Sequence, residues 1–131
     1  MPWFKRRRRL PADMMQRLEM LGRFTLGRQE SRIDSGEVWQ RCLAPFLDEA
    51  KADPDGFFGE LRELLRGETG GFAALGAGQL AWEALSDESL TNPAVLPFVD
   101  AGIDFKLARG FTRWDLAPYE VGRLSRRQSG S

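Results

Sequence analysis

The stretch Gly76-Ala77-Gly78-Gln79-Leu80-Ala81 carries small residues at the spacing with which a dinucleotide-binding turn brings a pyrophosphate against backbone amides. That chemistry needs the glycines at a strand-to-helix turn, where a helix start offers unpaired N–H groups, inside a βαβ unit of roughly 30 residues. The preceding Gly70-Gly71-Phe72-Ala73-Ala74-Leu75 contains no β-branched residue, and no second strand of a nucleotide fold follows. The spacing is therefore read as close helix packing, and no cofactor is expected.

Composition removes most other catalytic arrangements. The chain has no histidine and a single cysteine, Cys42. Imidazole is thereby absent as metal ligand, general base and pH switch, and so are Cys/His and Ser/His/Asp catalysis and every standard structural zinc set. Carboxylate acid/base chemistry stays open, with a buried acid near Glu83 or Asp104 as the place to look. No spacing selects a pair, so a carboxylate-based enzyme is a minor alternative.

Binding chemistry has stronger signals. Trp3 and Phe4 precede Lys5, Arg6, Arg7, Arg8 and Arg9, a cationic and aromatic run suited to anionic lipid or to a nucleic-acid backbone without base reading. Asp48, Glu49, Asp53, Asp55, Glu60, Glu63 and Glu68 crowd one stretch. They form either the solvated side of two helices or a docking surface for a basic partner. Arg113 and Trp114, between Gly110 and Asp115, are the best contact-loop candidates, because exposed tryptophan beside arginine is a common interface anchor. The alternative is that Trp114 folds back onto the core. A helix-turn-helix reader is disfavoured, since the clearest helices are acidic or balanced.

These charges are segregated although the 131 residues are formally neutral. Residues 1–33 carry a net +6, residues 34–104 a net −10 and residues 105–131 a net +4. Either the basic ends neutralise the acidic middle within one molecule, or two opposite docking faces result.

The elements that must position these groups are helical. Two isoleucines, four valines, four threonines and one tyrosine supply few strand formers. The expectation is one all-α domain over residues 11–124, with five or six helices packed around a small-residue-rich helix at about 71–85. A basic tail (1–10) and a polar tail (125–131) flank it. A first helix runs from Pro11 to about Phe24, followed by a polar connection over 25–33. Asp34 caps a helix over 37–52 that Pro45 kinks or breaks near residue 41. Asp53-Pro54 starts a helix over 54–66 that Gly67 closes. Asn92-Pro93 starts another, which Pro97 shortens or bends before Gly102. Residues 103–109 alternate like a strand, but a lone strand has no partner, so helix or irregular structure is expected. Asp115 caps a last helix that frays from Ser125.

The functional expectation is a non-enzymatic cytoplasmic module that binds another protein, of adaptor, chaperone-like or inhibitor type. The alternative is a peripheral binder of anionic membrane or nucleic acid through Trp3 to Arg9. No apolar run approaches the roughly 18 residues of a membrane span, and a lone cysteine suits a reducing compartment.

Overall fold

The computed structural model describes residues 10–31, 36–66 and 71–129. Among them the chain forms six α-helices and no strand: α1 (Met14–Ser31), α2 (Gly36–Ala52), α3 (Pro54–Leu64), α4 (Phe72–Leu85), α5 (Leu96–Ala108) and α6 (Pro118–Ser129). A short 3-10 turn, Ser86–Leu90, follows α4. The all-α class and the central place of the small-residue helix are as the residue usage predicts.

α4 has hardly any solvated side. Ala73 through Gly78, Leu80, Ala81, Ala84 and Leu85 are all buried, so neighbours cover it nearly all round. Its glycines face different helices. A Cβ on Gly76 would meet the backbone carbonyl of Leu18 in α1, and one on Gly22 of α1 would meet the carbonyl of Phe72 in α4. On the other side, a Cβ on Gly78 would lie 2.9 Å from the Phe98 carbonyl oxygen of α5. The Gly-x-Gly spacing is thus a two-sided packing device inside a helix. Backbones approach where side chains would hold them apart, and this closeness offsets the roughly 1 kcal/mol helical penalty of each glycine. Phosphate recognition has no place at these residues, because they lie mid-helix with their amides in helical bonds.

α3 forms as its sequence predicts. The Asp53 carboxylate accepts from the Gly56 amide at 3.1 Å, and Pro54 takes a first-turn position where its missing N–H costs nothing. Phe57, Phe58 and Leu61 then point into the core. Phe57 meets Phe58 edge-on at 5.1 Å, and Phe58 packs on Phe98 at 5.8 Å. A second, smaller apolar cluster of Val99, Ile103, Leu116 and Tyr119 joins α5 to α6, with Trp82, Leu107 and Phe111 around it.

Several expectations are corrected. Residues 25–31 continue α1 instead of forming a polar connection, because Thr25 and Leu26 are buried in line with Leu18 and Leu21. α2 runs unbroken through Pro45, which is exposed while Phe46 and Ala50 are held in the core. Asn92 does not start α5. Its side chain accepts from the Ala94 amide in a preceding turn, and its carbonyl accepts from Val95 and Leu96. Pro97 consequently occupies the first turn of α5 and starts the helix where it was expected to shorten one. Residues 103–108 are helical, one of the two expected alternatives to a strand, and Ile103 and Lys106 both reach the interior. The last helix extends to Ser129 where fraying from Ser125 was expected, because Arg123 and Arg127 grip α5. Asp34 and Gly67, the expected caps of α2 and α3, lie outside the described residues, and α3 closes at Leu65.

Candidate functional site

Trp114 is 89% exposed, while Met20, at 46%, is the other exposed large apolar side chain among the described residues. The sequence left open whether Trp114 folds back on the core, and the structure places it outward. Its neighbours take the inward positions: Leu116 is buried and Phe111 packs against the smaller cluster. The turn that carries Trp114 is tied at both ends. The Asp115 carboxylate accepts from the Thr112 amide at 2.8 Å and from its hydroxyl at 3.0 Å. The Asp115 amide donates to the Thr112 carbonyl, and the Trp114 amide donates to Thr112 Oγ1 at 3.2 Å. These bonds, the Thr112 amide first, hold the Asp115 carboxyl below its usual range. Asp115 therefore fastens the turn and does not cap α6 as the spacing suggested. That cap comes from Glu120, whose Oε1 accepts from the Ala117 amide at 3.0 Å.

Arg113 donates to Ser125 Oγ on α6 at 3.0 Å, which ties the turn to the helix one residue before the exposed Arg126. Arg126 has no hydrogen-bond or ion-pair partner among the described residues. The remaining basic groups of this end are differently placed. Arg123 makes a two-pronged contact with Asp100, Nε to Oδ1 at 2.8 Å and Nη2 to Oδ2 at 3.0 Å, and Asp100 holds the guanidinium above its ordinary value. Arg127 reaches Asp104 at 3.0 Å. Arg109 stands within 6 Å of the Phe72 and Phe105 rings, and Arg23 lies 4.3 Å from the Phe72 ring centre. The basic C-terminal segment thus neutralises Asp100 and Asp104 of the acidic middle, while Arg113, Trp114 and Arg126 stay exposed.

The interior holds one polar device that the spacing did not reveal. Lys106 Nζ, fully buried, donates to both oxygens of the equally buried Glu120, at 2.6 and 2.8 Å. Burial lowers the Lys106 pKa, and the Glu120 charge opposes that shift. Beside it Tyr119 stacks face to face on Trp82 at 4.4 Å and donates to Gln79 Oε1 at 3.2 Å, while Gln79 donates to Glu83. The acids marked for acid/base work, Glu83 and Asp104, are both exposed. A cavity of about 150 Å³ is lined by Arg62, Leu65, Ala74, Pro97, Phe98 and Ala101, and none of Lys106, Tyr119 or Glu120 reaches it. Among the described residues no cluster of cysteine, aspartate and glutamate could hold a metal ion. The ion pair joins α5 to α6 across the interior.

Tyr119 is the chain's single tyrosine, which gives a clean optical probe of this joint. Burial first, then the charges of Glu120 and Glu83, raise its pKa well above 10.0. Tyrosinate absorbance should stay absent in the folded protein through pH 10 and appear in step with unfolding. The unfolded chain releases this proton near pH 10 while the folded chain keeps it, so stability falls as pH rises through that range. A reversible titration at the ordinary tyrosine value, with the helical signal intact, would show that Tyr119 is open to water.

The acidic candidates lie on α3 and its approach. Glu63 is exposed and pairs with Arg66 at 3.3 Å, and Glu60 is half-buried. Asp48 and Asp55 are exposed, with no partner among the described residues. Trp3, Phe4, Lys5, Arg6, Arg7, Arg8, Arg9 and Glu68 lie outside the described residues. Lys106 and Glu120 were missed because a lone lysine in an apolar alternation and a glutamate in a first helical turn each look locally ordinary. No helix of the described residues is long and apolar enough to cross a membrane. Comparison of the chain with known protein families, curated proteins and solved structures finds no match.

Proposed function

We propose that the protein is a non-enzymatic interaction module, acting in the cytoplasm, that binds a basic protein through the acidic surface of α2 and α3. The observation that carries this reading is the pairing pattern of the C-terminal arginines. Arg123 and Arg127 engage Asp100 and Asp104 on α5, and Asp48 and Asp55 keep no cation among the described residues. A charge left unmatched on a folded surface speeds encounter with the opposite charge and rejects like-charged partners. In pull-downs, partners of high isoelectric point should be lost when Asp48, Asp55 and Glu63 are changed together to lysine. An identical partner set from both proteins would reduce this surface to solvation.

A second reading, binding to an anionic surface, is supported by the exposure of Arg113, Trp114 and Arg126. Its test is retention on anionic vesicles and on duplex DNA at low and high salt, before and after removal of residues 1–10. Failure of the parent chain to bind either at low salt removes it.

A further inference from the structure

We propose that the cavity between α3, α4 and α5 is a binding site for a small carboxylate with a compact apolar body, the size of a single aromatic ring. The cavity holds about 150 Å³. Its lining is Arg62 and Leu65 from the end of α3, Ala74 of α4, and Pro97, Phe98 and Ala101 of α5.

The walls set the size of the ligand. Ala74 and Ala101 face the cavity with methyl groups alone, and leave open a space that larger side chains would fill. The helices are already in close contact around it. Gly78 of α4 lies so near α5 that an added Cβ would stand 2.9 Å from the Phe98 carbonyl oxygen, and the Phe98 ring packs on Phe58 of α3 at 5.8 Å. Folded interiors hold few voids larger than a water molecule, so a recess of this volume between packed helices is pre-formed for an occupant. An apolar cavity of about 150 Å³ is large enough to admit benzene.

The lining sets the chemistry. Leu65, Ala74 and Phe98 form a buried floor without a polar side chain. Polar groups along the ligand's body would go unpaired there, so the body is apolar. Arg62 is the one charged residue of the lining, is exposed, and its guanidinium has no acceptor among the described residues. The acids next to lining residues in the chain are engaged elsewhere, Glu63 with Arg66 at 3.3 Å and Asp100 with Arg123 at 2.8 Å. A guanidinium presents a planar fork of N–H donors that matches the two oxygens of a carboxylate. One cation also balances one negative charge, which favours a carboxylate over a phosphate group carrying nearly two.

The probe is benzoate, titrated to about 10 mM into the full isotope-labelled chain, with backbone amide chemical shifts as the readout. Saturable shifts at the cavity residues are expected, with a dissociation constant of about 1 mM, ordinary for a ligand of this size. Benzamide has the same shape without the charge and should bind about tenfold more weakly, the scale of one charge-assisted hydrogen bond. Arg62→Gln should weaken benzoate by the same factor. Ala101→Leu fills the recess from a half-buried position and should weaken benzoate more than about tenfold. Arg66→Gln, one turn further along the chain, should bind as the parent does. Circular dichroism confirms that each variant folds, and the exposed Arg62 position carries the test even if Ala101→Leu does not. The proposal is overturned if benzoate gives no saturable shifts at the cavity, if acetate or benzamide binds there as tightly, or if Arg62→Gln binds as the parent does. An equal loss in Arg66→Gln, or shifts that follow exposed arginines such as Arg113 and Arg126 while the cavity residues stay silent, overturns it as well.

Discussion

Lys106→Met is expected to cost about 3–5 kcal/mol of stability, because it strands the Glu120 carboxylate in the interior with only the Ala117 amide as partner. In the parent, both Glu120 oxygens receive the ammonium of Lys106 within 2.8 Å, and neither side chain is open to water. Such a pair contributes little when compared with a well-packed apolar pair, since desolvating two charges consumes most of their attraction. Removing one member is different, because the other keeps its desolvation penalty. For a chain of this size the loss corresponds to a fall in melting temperature of about 10 °C or more. The double variant Lys106→Met, Glu120→Leu should recover a large part of the deficit, less about 1 kcal/mol for the lost cap of α6. Urea unfolding of the two single variants and the double one gives the coupling directly. Additive losses would mean that the two groups do not share a buried contact.

Gly76→Ala is the second large effect, and its sign is opposed by helix propensity. Alanine in place of a helical glycine gains about 1 kcal/mol where there is room. At Gly76 the added methyl meets the Leu18 carbonyl of α1, which is backbone and cannot turn aside as a side chain would. The helices must separate, and the overpacking loss of about 1–3 kcal/mol or more exceeds the gain. Gly22→Ala strikes the same seam from the other helix, at the Phe72 carbonyl, so the two substitutions together should cost less than the sum of the two. Gly59→Ala provides the contrast, since nothing lies within 4 Å of its added Cβ on α3. It should raise stability by about 0.5–1 kcal/mol. Thermal unfolding of the three variants checks both signs, and a neutral Gly76→Ala would contradict the close approach of α1 and α4.

The elements that read correctly from the residues are those whose signals lie within a few positions of one another. Asp53, Pro54, Phe57, Phe58 and Leu61 specify α3 by a cap, a fixed φ and an apolar stripe, each acting over one or two turns. α4 is legible for a similar reason: a run of small and apolar residues with hardly any polar side has to be central. Where local signals were weak or opposed, packing decided. The second half of α1 looks polar, yet Thr25 and Leu26 extend a buried stripe that α4 covers. Pro97 looked like an interruption because nothing nearby says whether it is the fifth residue of a helix begun at Pro93 or the second of one begun at Leu96.

The candidate site divides in the same way. Composition by itself determined that this protein has no imidazole chemistry, that its strand formers are few and that its charges are segregated along the chain. It also marked Arg113 and Trp114 as contact residues. Only the tertiary structure decided that Trp114 faces water, that Arg123 and Arg127 are taken by Asp100 and Asp104, and that Lys106 meets Glu120 across 14 residues. The physical reason is range. Caps, propensities and periodicity are fixed by neighbours along the chain. Whether a charge is matched, and whether an indole is covered, depends on which helix faces turn toward each other, and that is settled when α5 and α6 close on the smaller apolar cluster.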